Sequence, residues 1–356
     1  MATPRKSLKN KIIQHKIIAG SLRKISSIKG KTDMYLSRRP HRSFRRTLRR
    51  DYTRSLQLPG YWSFGSFVRK TLLKNKKTFL LVALTYTVIT GILVGVASQD
   101  AYTVLTDTIQ GTSGDIFSGN WGEIGKASLL FVSTVSGGIS NNLSDVQQVY
   151  TGLIILLTWL TTVWLLRNIL AGAKVNLRDG LYNASSPLLS TALVSTLLIV
   201  QLIPVALAVL GYSAATATGL LAGGVEAMLF WVAAGLLTIL SLYWITSTFI
   251  ALVVVTLPGM YPMQAIKTAG DIVIGRRMRI LLRLLWMIVG VATTWVVVMI
   301  PVILLDTWIK SVWSAIEWLP IVPVVMLALS SLSVIWIASY IYLLYRRIVA
   351  DDAAPA

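Results

Sequence analysis

The sequence predicts an all-α polytopic integral membrane protein: six transmembrane helices arranged as three hairpins, with interfacial amphipathic helices and both termini in the cytoplasm. Three observations predict it. Of the 356 residues 54% are hydrophobic and only 13% charged, with a mean hydropathy of +0.67, which leaves too little polar surface for a water-soluble domain of this length. Apolar runs of about 20 residues recur, the length that crosses a bilayer core. The basic residues between those runs alternate from one side to the other, as membrane topology requires.

The net charge of +20 is placed unevenly. Residues 1–77 carry 22 Lys and Arg against Asp33 and Asp51, so this region alone accounts for the whole excess and the remaining 279 residues are neutral. Cysteine is absent, which excludes disulfides, thiolate metal sites and cysteine nucleophiles.

Residues 1–60 form a basic arm. Lys9, Lys16 and Arg23 recur every seven residues, opposite Ile13, Ile17, Ile25 and Ile28 on a helical wheel, the pattern of a helix lying on an anionic surface. Arg38, Arg39, Arg45, Arg46, Arg49 and Arg50 follow within a dense run. The arm reads as a cytoplasmic segment that fixes topology and touches anionic phospholipid headgroups. Two alternatives stay open. Arginine forks suit the phosphates of RNA or a cytoplasmic partner protein, and the acid-poor composition also fits an organelle presequence.

Residues 61–347 are the membrane domain. Tyr61, Trp62, Phe64 and Phe67 are belt aromatics ahead of a first span over about 78–97, which carries Gly91-x-x-x-Gly95. The loop 98–148 has Asp100, Asp107, Asp115, Glu123 and Asp145 against Lys126, and its apolar 128–135 segment is too short to span. Further spans are expected over about 149–166, 188–210, 227–256, 280–305 and 320–345, with Pro204 inside the third. Between the fourth and fifth, Pro258 and Pro262 end one helix and start another. Ala265, Ile266, Ala269, Ile272 and Val273 make that helix's apolar face. Trp308, Trp313 and Trp318 anchor the last loop, and 348–356 reads as a disordered tail.

One side of the spans collects Arg167, Lys174, Arg178, Lys267, Arg276, Arg277, Arg279, Arg283, Arg346 and Arg347. The other has only Lys126 and Lys310. The positive-inside rule therefore puts both termini in the cytoplasm. Val68-Arg69 aligns with Leu177-Arg178, and Leu181 with Ile272, so that a short amphipathic segment precedes each hairpin. A threefold internal repeat and convergent topology both explain this.

The chemistry-bearing residues are few. His15 and His41 both lie in the arm, and no metal, nucleophile or dinucleotide motif appears. No catalytic group, cofactor or metal is expected. No Asp, Glu or Lys lies near mid-membrane, which argues against an ion-coupled pump. Arg276, Arg277 and Arg279 join the arm's arginines as candidate contacts for lipid headgroups. Gln201, Pro204, Ser247 and Thr248 are the candidate lining of a solute path.

The stretch Val255 to Arg276 resembles the pattern that follows a long helix in the membrane domain of glycerophosphodiester phosphodiesterases and in six-span proteins of the YciC-like type. In that pattern a proline ends the helix, here Pro258. An "Ala-Leu-x-x-Ser" helix follows, here Ala265-Ile-Lys-Thr-Ala, and Gly-Arg precedes the next span, here Gly275-Arg276. The acidic residue usual after the proline is missing. The resemblance implies a multi-pass membrane domain and not phosphodiesterase activity, which belongs to a separate soluble barrel in those enzymes. The expected function is a non-enzymatic scaffold or accessory factor of the cell (inner or plasma) membrane, with an organelle membrane as the alternative. Its partners are the bilayer and its anionic headgroups. A passive transporter or channel, and a tether for nucleic acid or ribosome, are the competing expectations.

Overall fold

The computed structural model describes residues 58–94, 144–219, 221, 223–313 and 319–353. The basic arm with its six candidate arginines, most of the acidic loop with its 128–135 segment, Trp318 and residues 354–356 lie outside the described residues. Every regular element among the described residues is a helix: α1 (Tyr61–Lys74), α2 (Lys76–Leu93), α3 (Asp145–Leu170), α4 (Leu177–Ala184), α5 (Leu188–Ala217), α6 (Gly224–Val254), α7 (Pro262–Val273), α8 (Arg277–Val312) and α9 (Ile321–Ala353). Six of them, α2, α3, α5, α6, α8 and α9, are long and apolar enough to cross a bilayer. The chain is an all-α polytopic membrane protein.

Local chemistry explains the helix ends. Ser144 caps α3, and the Gln147 side chain accepts from the Ser144 main-chain N–H at 2.9 Å, a capping box. The Gln147 amide also donates to the Val94 carbonyl at 2.9 Å, satisfying the end of α2 and clamping the first hairpin. Pro262 occupies the first turn of α7, where its missing N–H costs nothing. α9 continues through 348–353, the stretch expected to be a disordered tail. Ile348 is fully buried there and Asp351 pairs with Arg276 at 3.5 Å, and these contacts hold the last turns.

The order is short–long–long, three times over. Packing repeats with it. Each short helix lies on the long helices of the hairpin before it: α4 on α3 and α2, α7 on α6 and α5, and α1 on α9 and α8. The first long helix of each hairpin does the same, α5 against α3, α8 against α6 and α2 against α9. The three units therefore close into a ring. Each short helix buries residues four apart: Phe64 and Val68, Gly180 and Ala184, Ala265 with Ala269 and Val273. This corrects the register read from sequence. Gly180 and Ala184 match Ala265 and Ala269 or, one turn on, Ala269 and Val273, and neither match puts Leu181 opposite Ile272. The sequence match aligned the half-buried Leu181 and Ile272, whereas the face that meets the long helices is small in the second helix and carries Phe64 and Val68 in the first.

The main core lies at one end of the bundle. It joins Phe64 and Val68 to the N-terminal half of α2, the C-terminal halves of α3, α6 and α9, and the start of α8. A smaller cluster, Trp295, Met299 and Ile303 against Val322, Met326 and Leu329, fastens α8 to α9 at the other end. α3 and α6 each have half of their most apolar window buried against only 6% for α5, so α5 is peripheral and presents its apolar surface to lipid. Polar side chains join neighbouring helices: Tyr86 to Thr161 at 2.8 Å, Thr87 to Ser331 at 3.2 Å, and Trp295 to Ser333 at 2.9 Å. Without a hydrophobic drive between helices in lipid, such bonds and close packing carry association.

Gly180 tests the seat of α4. A Cβ there would meet the buried Leu165 side chain at 3.0 Å. Gly180→Val is expected to cost about 1–3 kcal/mol through overpacking. It should lower the unfolding midpoint followed by tryptophan fluorescence in detergent. Gly152→Ala, whose Cβ meets nothing within 4 Å, should leave it unchanged. Equal midpoints for Gly180→Val and wild type would remove the proposed contact.

Candidate functional site

The basic end of the bundle holds a cleft of about 490 Å³ where α3, the α4–α5 corner and the α6–α7 turn meet. Each wall follows from sequence. α3 stops just past Arg167 because Gly172 takes a φ of +85°, and the Ala173 N–H closes back on the Asn168 carbonyl at 3.0 Å. Leu257-Pro258-Gly259-Met260 forms a turn closed by the Met260 N–H on the Leu257 carbonyl at 3.3 Å, with Gly259 at φ +76°. Proline first and a left-handed glycine second are what a type II turn requires. Pro187 ends the α4–α5 corner and sets the first turn of α5 beside the cleft.

Arg167 is the charged group of this cleft. Its Nη1 donates to the Thr256 carbonyl at 3.0 Å, a main-chain acceptor left over where α6 ends. A cation there also complements the negative end of the α6 dipole. Guanidinium has five N–H donors and this bond uses one. No carboxylate pairs with Arg167 among the described residues. Asn183, Ser186 and Ser190 add polar groups on one wall, and Leu160, Trp164 and Met260 make the other apolar. The arrangement can hold an anion attached to an apolar body.

Two further arginines tie this end together. Arg277 Nη1 donates to the Tyr243 carbonyl at 2.8 Å, and its guanidinium lies 3.7 Å from the Tyr243 ring centroid. Tyr243 is 11 residues before the end of α6, close to the 12-residue length of α7. α7 therefore doubles back along α6 before α8 begins. Arg283, counted in the sequence among the charges of the cytoplasmic side, is buried. It donates to the Pro59 carbonyl and lies 5.1 Å and 5.6 Å from the ring centroids of Tyr61 and Phe64. The reason is α1, which covers it.

The other sequence-predicted residues are scattered. Arg276 is buried with Asp351, so a headgroup does not reach it, whereas Arg279 is exposed. Gln201 accepts from the Thr248 hydroxyl at 2.6 Å, joining α5 to α6, and Ser247 donates to the Trp244 carbonyl. Pro204 lies in mid-α5. None of these four lines the cleft. Sequence reasoning took Arg167 as a topology marker only. The signal that could have found it is the Pro258-Gly259 turn, which leaves a helix end needing a donor. Among the described residues no group of three or more His, Cys, Asp or Glu is placed to hold a metal.

No family model, no curated protein and no solved structure matches the chain.

Arg283→Met is expected to free α1. It removes the donor to Pro59 and the cation over Tyr61 and Phe64, a loss of about 1–3 kcal/mol. Trypsin should then cut at Arg69 and Lys70, both exposed on α1, faster than in wild type. Unchanged cleavage would show that Arg283 does not hold this helix.

Proposed function

We propose that the protein is a non-enzymatic membrane scaffold or accessory factor that holds anionic lipid at its cytoplasmic face, through its interfacial helices and basic arm. One observation carries this. The cations of the membrane body gather at one end of the bundle, together with the three short helices and the main core. Arg69, Lys70, Lys74, Arg178, Arg279 and Arg346 are exposed there, and each such residue beside an anionic leaflet is worth about 1 kcal/mol. Among the described residues the other end offers Lys310, which is paired with Asp306 at 2.8 Å. By the positive-inside rule the basic end faces the cytoplasm, and the proposed location is the cell membrane, with an organelle membrane as the alternative. The Gln201–Thr248 bond occupies polar groups that a solute path would need, which favours the scaffold over a channel.

Two measurements test it. Because the chain has no cysteine, single substitutions report topology without background. Lys174→Cys should react with a membrane-impermeant maleimide only from the cytoplasmic side, and Ser311→Cys only from the opposite side. The reverse pattern would invert the orientation. Delipidated protein should gain more thermal stability from phosphatidylglycerol than from phosphatidylcholine, and salt should reduce the gain. Equal stabilisation by the two lipids would remove the lipid-holding role.

A further inference from the structure

We infer that the cleft at Arg167 is a specific site for the phosphodiester headgroup of an anionic lipid. This rests on the reading of the basic end as a lipid-holding face, and adds one defined site to it. Four features of the cleft converge. Arg167 is only partly exposed, is fixed by its bond to the Thr256 carbonyl, and has no carboxylate partner among the described residues. A guanidinium held this way keeps a fork of donors for a phosphate, and suits it better than an ammonium. α5 begins at the cleft, with Ser186 before it and Ser190 in its first turn; the Leu188 N–H is taken by the Ser185 carbonyl at 3.0 Å, and the positive end of this long helix, with the Leu189 and Ser190 N–H groups, favours an anion. The opposite wall is apolar, with Leu160, Trp164 and Met260, so the ligand is amphiphilic. The volume, about 490 Å³, takes a headgroup and the glycerol beneath it and is too small for two acyl chains, which would run out along the exposed flank of α5.

The phosphate binds Arg167 and the start of α5, and the headgroup alcohol faces Asn183 and Ser186. A free phosphate ester shares the polar half of this chemistry and lacks the apolar half.

The test uses the full chain in detergent and native mass spectrometry, titrating phosphatidylglycerol and phosphatidylcholine, with glycerol phosphate as a soluble competitor. Wild type should retain one phosphatidylglycerol more tightly than the rest. Arg167→Gln should weaken that site by at least about tenfold, and Arg167→Lys by less. Arg167 also caps α6, so Ser190→Leu is the second variant. It fills the cleft, leaves Arg167 and Thr256 in place, and should give a similar loss. Arg346→Gln, on the exposed surface, should lower only the weak, unsaturated binding. Unaltered tight binding in both Arg167→Gln and Ser190→Leu, with loss in Arg346→Gln, would overturn the cleft and leave the broader lipid reading standing. A wild type that does not separate the two lipids would end both. Competition by millimolar glycerol phosphate as effective as that by lipid would assign the cleft to a soluble anion and overturn the lipid assignment.

Discussion

Three arginine-to-carbonyl hydrogen bonds hold the three helical units to one another. Arg167 at the end of the first unit donates to Thr256 at the end of the second. Arg277 in the third donates to Tyr243 in the second. Arg283 in the third donates to Pro59, which leads into the first. In lipid an unmet main-chain carbonyl is costly and a helix end provides several of them. A guanidinium satisfies such a group with one of its five donors. Arg167, partly exposed and with no carboxylate partner among the described residues, is the staple on which the proposed lipid site rests.

The staples explain why the main core sits where it does. Once the basic ends are tied, the C-terminal halves of α3, α6 and α9 converge, and Leu165, Leu166, Ile250, Val254, Ile341 and Leu344 are almost fully buried among them. Toward the other end no arginine staple ties the units among the described residues, and the Thr87–Ser331 bond links the first to the third. Each hairpin there is held largely by its own contacts: Gln147 to Val94 in the first, the Tyr212, Phe230 and Trp231 rings in the second, and the Trp295 cluster in the third. The exposed leucines and valines of α5 and of the first half of α6 are then ordinary lipid-facing surface.

Sequence reached the span number because length against bilayer thickness is a coarse measure that few residues can upset. It also reached the short helices, since Pro262 and the spacing of Ala265, Ala269 and Val273 are local signals. It did not reach the doubling back of α7, the burial of Arg283 or the role of Arg167. Each depends on which segment lies across from it, and a lone arginine after an apolar run looks the same whether it faces water, a ring or a carbonyl. The extension of α8 back to Arg277 and of α9 on to Ala353 was hidden for a related reason. Charges there read as the membrane edge, while Arg276 and Asp351 satisfy each other and let the helices run on.

A closed ring of like units has no privileged starting point. α1 rests on α9 just as α4 rests on α3, so the contacts that seat the beginning of the membrane domain come from its end. During synthesis the first hairpin must wait, its short helix without a seat, until the last has been made. The cleft is finished sooner, as soon as the turn after α6 has been made. Closure of the ring thus depends on the third unit. A chain cut short before α8 would keep the pieces of the cleft and lose the closure that holds the bundle together.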